Sequence, residues 1–197
     1  GAITVGPGDS GGALTNGWHH TGIIDSGDLD VWNFTATSGE NIVVRIGTTN
    51  VIYPWVRLYG PDGALLDSDG GATYGGEAAS RATNSGTFTV VVGSFYPGNG
   101  YSGGYILNLA KTSGTITVAP GDQGGLMTNG LVHSGTIDIG DLDVWTFNAC
   151  AGDGIILRVD ELTGGSSFTP EMRLYGPDGT LLNTVSGATT AQINRTA

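Results

Sequence analysis

Short apolar runs broken by glycine-rich turns organise this chain from end to end. Between Asp30 and Ala36 the large side chains Trp32 and Phe34 alternate with Val31, Asn33 and Thr35. That two-residue period predicts a strand with Trp32 and Phe34 on its core face. Further strands are predicted at Ile3 to Val5, Ile42 to Ile46, Val56 to Tyr59, Ala64 to Leu66, Thr87 to Val92 and Tyr105 to Leu109. Asn16-Gly17 reads as a hairpin turn, because both residues tolerate positive φ. Gly60-Pro61-Asp62-Gly63 reads as another tight turn. No stretch has helical periodicity.

The pattern then recurs. Residues 3–46 align with 116–159 without a gap, and 26 of the 44 positions are identical. Gly27-Asp28-Leu29-Asp30-Val31-Trp32 returns as Gly140-Asp141-Leu142-Asp143-Val144-Trp145. After a three-residue insertion, Pro54 to Leu66 matches Pro170 to Leu182, with Arg-Leu-Tyr-Gly-Pro-Asp-Gly in both. A unit this long is a domain rather than a solenoid repeat. The expected organisation is a complete β-sandwich over 1–112 and a second over 113–197. The second stops near the counterpart of Arg81 to Thr83, about 28 residues short, and is expected to lack its last two strands. The short joint, Lys111 to Thr115, predicts two sandwiches sitting end to end with limited freedom.

Composition supports an all-β fold of two tandem antiparallel β-sandwich (jelly-roll-like) domains. Glycine is abundant at 36 residues, while strong helix formers are scarce, with one Lys and four Glu. The net charge of −11 and the absence of a basic patch exclude nucleic acid as a partner and favour divalent cations. All six arginines fall in register between the repeats, as Arg45/Arg158, Arg57/Arg173 and Arg81/Arg195, which suggests structural roles. A single cysteine, Cys150, rules out an intrachain disulfide. No apolar run approaches the ~20 residues of a membrane span. The lack of an initiator Met suggests a processed or excised chain. The sequons at Asn33 and Asn194 suit a secreted one.

The order of motifs resembles the bacterial pre-peptidase C-terminal domains. The residues concerned are Pro7 to Asp9, Gly27 to Phe34, Gly39 to Ile42, Arg57 to Leu66, Ser85 to Val92 and Gly104 to Leu109. That resemblance implies a secreted β-sandwich, usually appended to hydrolases and not itself catalytic. Some collagenase relatives bind calcium and substrate polymer. No enzyme domain accompanies the repeats here.

Several constellations carry candidate chemistry. Gly8-Asp9-Ser10-Gly11-Gly12 matches the string around a trypsin-like nucleophile, but Gln123 replaces the serine in the second repeat, which makes it a turn. His20 and His133 are in register without further ligands at zinc spacing, so each is expected to bond locally. Asp25, Asp28 and Asp30 recur as Asp138, Asp141 and Asp143, with Asp9 and Asp122 nearby; such clusters suit calcium, while short Asp side chains also cap turns. Clustered carboxylates could serve glycoside hydrolysis, but identical sites in two repeated turns argue against an enzyme. Trp18, Tyr53, Trp55 and Tyr74 have non-aromatic counterparts, and Phe95, Tyr96 and Tyr101 occupy a loop of the first repeat alone. Aromatics of that kind form a stacking surface or protein interface, or cover local apolar edges.

The leading expectation is a non-enzymatic extracellular or cell-surface structural module. It would build a homopolymeric filament or matrix by strand pairing and end-to-end sandwich contacts. The alternative is an accessory domain that targets a secreted hydrolase to a protein or polysaccharide polymer.

Overall fold

The computed structural model describes residues 3–162 and 168–197. In the first repeat nine strands run β1 Gly11–Ala13, β2 His19–Ile24, β3 Leu29–Ala36, β4 Asn41–Gly47, β5 Pro54–Tyr59, β6 Leu65–Gly70, β7 Gly75–Arg81, β8 Gly86–Ser94 and β9 Gly103–Lys111. They form a five-stranded sheet in the order β1-β3-β8-β5-β6 and a four-stranded sheet in the order β2-β9-β4-β7. Sheets β3-β8-β5-β6 and β2-β9-β4-β7 facing one another make a jelly roll, with β1 added parallel to β3. The chain is all-β; its one helical turn among the described residues is the 3₁₀ segment Pro97–Asn99.

Alternation explains the core. Trp32, Phe34, Val56, Leu58, Phe88, Val90 and Val92 face inward from one sheet, and Ile42, Val44, Ile46, Tyr105, Leu107 and Leu109 from the other. Two local expectations differ. Ile3 to Val5 forms no strand. Asn16-Gly17 is a turn but not a hairpin, because β1 pairs with β3 while β2 pairs with β9 in the opposite sheet. The Asn16 side chain explains the crossing: it accepts from Lys111 N at 2.7 Å and donates to Thr115 O at 3.2 Å, tying the crossover to the joint between repeats.

The second repeat keeps the local pairings and loses the sheets. Its strands are β10 Gly124–Leu126, β11 Val144–Thr146, β12 Gly154–Asp160, β13 Glu171–Tyr175, β14 Leu181–Ser186 and β15 Thr190–Thr196. They form three separate pairs, β10-β11, β12-β15 and β13-β14. The Gly124↔Val144 register repeats Gly11↔Val31, and the bulge at Leu174/Tyr175 repeats the one at Leu58/Tyr59. β8 and β9 have no counterparts here, and both are interior strands rather than edges. β2 pairs only with β9, so the matching segment 132–137 has no ladder partner and no strand forms. β3 pairs with β8 along eight residues, whereas β11 is held only by β10 and shrinks to three.

The two repeats do not meet end to end. The second lies on the outward face of β4, β7 and β9. Asn108 Nδ2 donates to Gly140 O at 2.7 Å, Arg45 Nη1 to Asp141 O at 3.1 Å and Arg81 Nη2 to Asp178 O at 3.0 Å. Glu77 accepts from Arg45 Nη2 at 2.6 Å and from Arg173, which also bonds Glu171. Of the paired arginines, Arg45, Arg81 and Arg173 thus join the repeats, whereas Arg158 bridges locally to Asp160, Arg195 donates to Leu182 O and Arg57 lies on Trp55. Val43, outside the core cluster, is buried at 5 % exposure between these contacts. At one close approach a Cβ on Gly140 (φ 80°) would lie 2.7 Å from Gly47 N.

Gly27 occupies the equivalent turn of the first repeat with φ 83° and nothing within 4 Å of an added Cβ. Gly140→Ala is therefore expected to cost about 1–3 kcal/mol more than Gly27→Ala in chemical denaturation, since only Gly140 adds overpacking to the shared left-handed strain. Equal costs would mean that the repeats do not pack closely at this point.

Candidate functional site

Each repeat gathers three carboxylates where the glycine-rich turn before its first strand meets the turn before β3 or β11. Asp9, Asp28 and Asp30 form one cluster, and Asp122, Asp141 and Asp143 the other, with carboxylate oxygens within 4.8 Å of one another. Asp25 and Asp138 do not join them. Their main-chain carbonyls accept from Asp28 N and Asp141 N at 3.1 Å, closing the turns that aim the other carboxylates inward. Asp9 and Asp122 take their places. Their recurrence in register was the available signal, but a distance of some twenty residues hid the proximity.

Asp30 is fully buried and anchors a polar chain through the first core. Tyr105 Oη donates to Asp30 Oδ2 at 2.5 Å and accepts from Trp32 Nε1 at 2.9 Å. Ser10 N donates to Asp30 Oδ1 at 3.3 Å. Burial, together with Asp9 and Asp28, pushes the Asp30 carboxyl up to about 7 despite the Tyr105 hydrogen bond. Burial and the charges of Asp141 and Asp122 likewise push Asp143 up to about 7. Asp143 Oδ1 is buried with no hydrogen-bond partner among the described residues. His19 Nδ1 lies 3.7 Å from Asp122, so the second cluster sits against the first repeat.

Three carboxylates this close need a proton or a cation between them. Calcium takes about 6–8 oxygens, and each cluster offers three carboxylates from two turns, so the residues fit a calcium site with part of its shell left to water. Ser10 of the nucleophile-like string and the two histidines weighed as zinc ligands are engaged in local hydrogen bonds. Ser10 Oγ accepts from Ile23 N at 3.1 Å. His20 Nε2 accepts from Thr15 N at 3.0 Å, and His133 Nε2 from Thr128 N at 3.1 Å.

The candidate aromatics divide. Tyr53, Phe95, Tyr96 and Tyr101 cluster at one end of the first sandwich, with Tyr53 5.3 Å from Tyr96 and 5.0 Å from Tyr101, and Phe95 5.1 Å from Tyr96. Phe95 and Tyr96 are exposed. Tyr53 has φ 48°, the one positive value outside glycine among the described residues, a local strain that surrounding contacts must hold. Trp55 lies beside this end with Arg57 stacked on it at 3.1 Å, and exposed Tyr74 borders the groove between the repeats. Trp18 stands apart, next to His19 near the opposite end.

No family model matches this chain, and no curated protein does. Among solved structures, the chain is similar to a periplasmic lysozyme inhibitor of g-type lysozyme, PliG, from Aeromonas hydrophila, at 15 % identity and TM-score 0.43, over 53 % of this chain and 99 % of that one. It is similar to the pre-peptidase C-terminal domain of collagenase from Bacillus anthracis at 19 % identity and TM-score 0.43, over 51 % and 95 %. PliG from Salmonella Typhimurium matches at 18 % and 0.41, over 52 % and 98 %. Among the described residues no helix is long and apolar enough to cross a membrane.

The acidic clusters predict a pH dependence of definite sign. Asp30 and Asp143 bind protons more tightly folded than unfolded. Their contribution to stability is therefore complete below about pH 4 and is lost as pH rises through about 7. In chelator, Tm is expected to fall between about pH 5 and about pH 8, and Asp30→Asn to flatten much of that fall. A calcium ion bound there would compete with the protons, so added calcium is expected to raise Tm at about pH 8 and not at about pH 5. A chelator-insensitive Tm at the higher pH would leave the proton alone as the neutralising charge.

Proposed function

We propose that this chain is a non-enzymatic extracellular structural module. Its sandwiches join into a filament or matrix through strand pairing and sheet-to-sheet contacts. The observation that carries this reading is the directional contact between the repeats. The second repeat applies its turns at Gly140–Asp141 and Asp178–Gly179, with Arg173 of β13, to the outer face of β4, β7 and β9 in the first. Such a contact is heterologous, and a heterologous contact that does not close propagates.

The two faces left over correspond to the two already joined. Along β12, Ile156 and Arg158 stand in register with Val43 and Arg45, yet Ile156 is 67 % exposed where Val43 is 5 %. On the first repeat, Arg57 corresponds to Arg173, but it lies on Trp55 and bonds no carboxylate among the described residues. Asp160 replaces Gly47 and Gln192 faces Arg158 where Glu77 faces Arg45. A second copy would therefore set Arg57 against Asp160 rather than reproduce the internal network.

Sedimentation velocity over a concentration series, with electron microscopy of the same samples, tests this. Concentration-dependent growth into linear species is expected, and Ile156→Lys is expected to suppress it. A monodisperse monomer at the highest soluble concentration would sink the reading.

The exposed aromatic cluster favours a second reading, an accessory module that targets a polymer. Stacking of this kind is sequence-tolerant and suits insoluble sugars or protein fibres. Pull-down on chitin, cellulose and collagen is the assay. Retention on one polymer, lost in Phe95→Ala/Tyr96→Ala, would support this role, and no retention on any of them would count against it.

A further inference from the structure

We propose that the groove between the two repeats binds an uncharged oligosaccharide, with Tyr74 as its stacking platform. This site deepens the polymer-targeting reading and rests on it for its biological setting. It lies on a different surface from the Phe95 and Tyr96 cluster.

Where the second repeat meets β4 and β7 it leaves an open groove of about 380 Å³. Arg45, Asp69, Tyr74 and Glu77 line it from the first repeat, and Gly140 and Arg173 from the second. Most of the remaining lining is glycine, which leaves main-chain N–H and C=O groups within reach of a ligand. A groove of this size and polarity suits a small polar ligand rather than the apolar core of a protein interface.

The charges select the ligand class. Two guanidinium groups and two carboxylates line the groove, so its lining is neutral in a chain of net charge −11. The guanidinium groups are already engaged. Arg45 donates to Glu77 Oε2 through Nε at 2.9 Å and Nη2 at 2.6 Å, and through Nη1 to Asp141 O. Arg173 donates to Glu77 and Glu171. An anionic ligand has to displace these acceptors, and a cationic one has to displace the arginines. Hydroxyl groups do neither. Each hydroxyl both donates and accepts, so neighbouring hydroxyls fit the planar edge of an arginine–carboxylate pair.

A sugar ring also has an apolar face that lies well on an aromatic one. Tyr74 is 54 % exposed and offers such a face. Thr48 N donates to Tyr74 O at 2.9 Å, and Asp69 Oδ2 accepts from Glu77 N at 2.8 Å. Platform and carboxylate are thus held in place before a ligand arrives, which lowers the cost of binding. A second opening of about 510 Å³ shares Gly47 and borders the same turn at Ile139. It presents Thr21, Thr49 and Asn50, all exposed. The polar lining therefore continues past a single ring, as an oligosaccharide requires.

The test is isothermal titration of the full chain with cellotetraose, N-acetylated chitotetraose and maltotetraose, and with tetragalacturonate as the anionic comparison. Saturable binding of at least one neutral sugar is expected, and none of tetragalacturonate. Tyr74→Ala is expected to weaken binding about tenfold, the worth of one stacking contact, while Phe95→Ala/Tyr96→Ala leaves it unchanged. Hydrogen exchange with the same sugar is expected to show new protection at 74–77 and 139–141. No neutral sugar bound, tetragalacturonate alone bound, full affinity in Tyr74→Ala, or protection confined to 95–101 would each overturn the proposal. The assay is distinct from retention on insoluble polymers. A chain that binds a soluble tetrasaccharide at Tyr74 but stays on no polymer keeps this site and sinks polymer targeting. Retention that Phe95→Ala/Tyr96→Ala abolishes, with no tetrasaccharide bound, does the reverse.

Discussion

Everything in this fold depends on the ladder bonds of two interior strands. In a jelly roll the last two strands of the chain are inserted between strands laid down much earlier, so each serves two neighbours at once. β8 holds β3 and β5 in one sheet, and β9 holds β2 and β4 in the other. Where both are present, nine strands close around a single core. In the second repeat a stretch of sequence that matches at 26 of 44 aligned positions makes only isolated pairs. The contrast between two copies in one molecule shows that two-stranded pairs, one hairpin (β13-β14) and two between separated segments (β10-β11 and β12-β15), form without the interior strands, while the sheets do not.

The joint between the repeats obeys a different constraint, close approach without side chains. Gly47 and Gly140 bring two backbones together, and Asn108, Arg45 and Arg81 donate to carbonyls of the arriving turns. Glu77 stands between two arginines from different repeats, partly shielded from water, where an ion pair is worth more than on an open surface. The contact has direction, since a turn-bearing face meets a strand face.

The acidic clusters lie in the same turns that set the strands, and they couple structure to solution conditions. Asp30 is held in the core by Tyr105, on β9, while the residues that crowd it arrive from turns far earlier in the chain. Its protonation therefore reports on whether the last strand is in place. Asp143 faces the same electrostatic pressure without that hydroxyl. The aromatic cluster around Tyr53 sits at one end of the first sandwich, on loops whose positions the completed sheets determine.

Much of this was legible in the residues themselves. The two-residue period around Trp32, the Gly-Pro-Asp-Gly turns and the repeat register marked most of the strands, the core-facing side of β3 and the all-β class, because these are local properties of a pleated backbone, while β1, β2 and β7 carried no such mark and Ile3 to Val5 carried it without forming a strand. The repeated Asp residues marked the acidic turns. Only the tertiary structure decided that Asp9 rather than Asp25 completes a cluster. It likewise decided that Asn16-Gly17 is a crossover and that the repeats stack face on face. It also showed that the strands absent from the second repeat are interior ones. Each of these depends on pairing between residues tens of positions apart. Such pairing is chosen by the global arrangement of two sheets, and the alternation of a single segment carries no record of which partner it will meet.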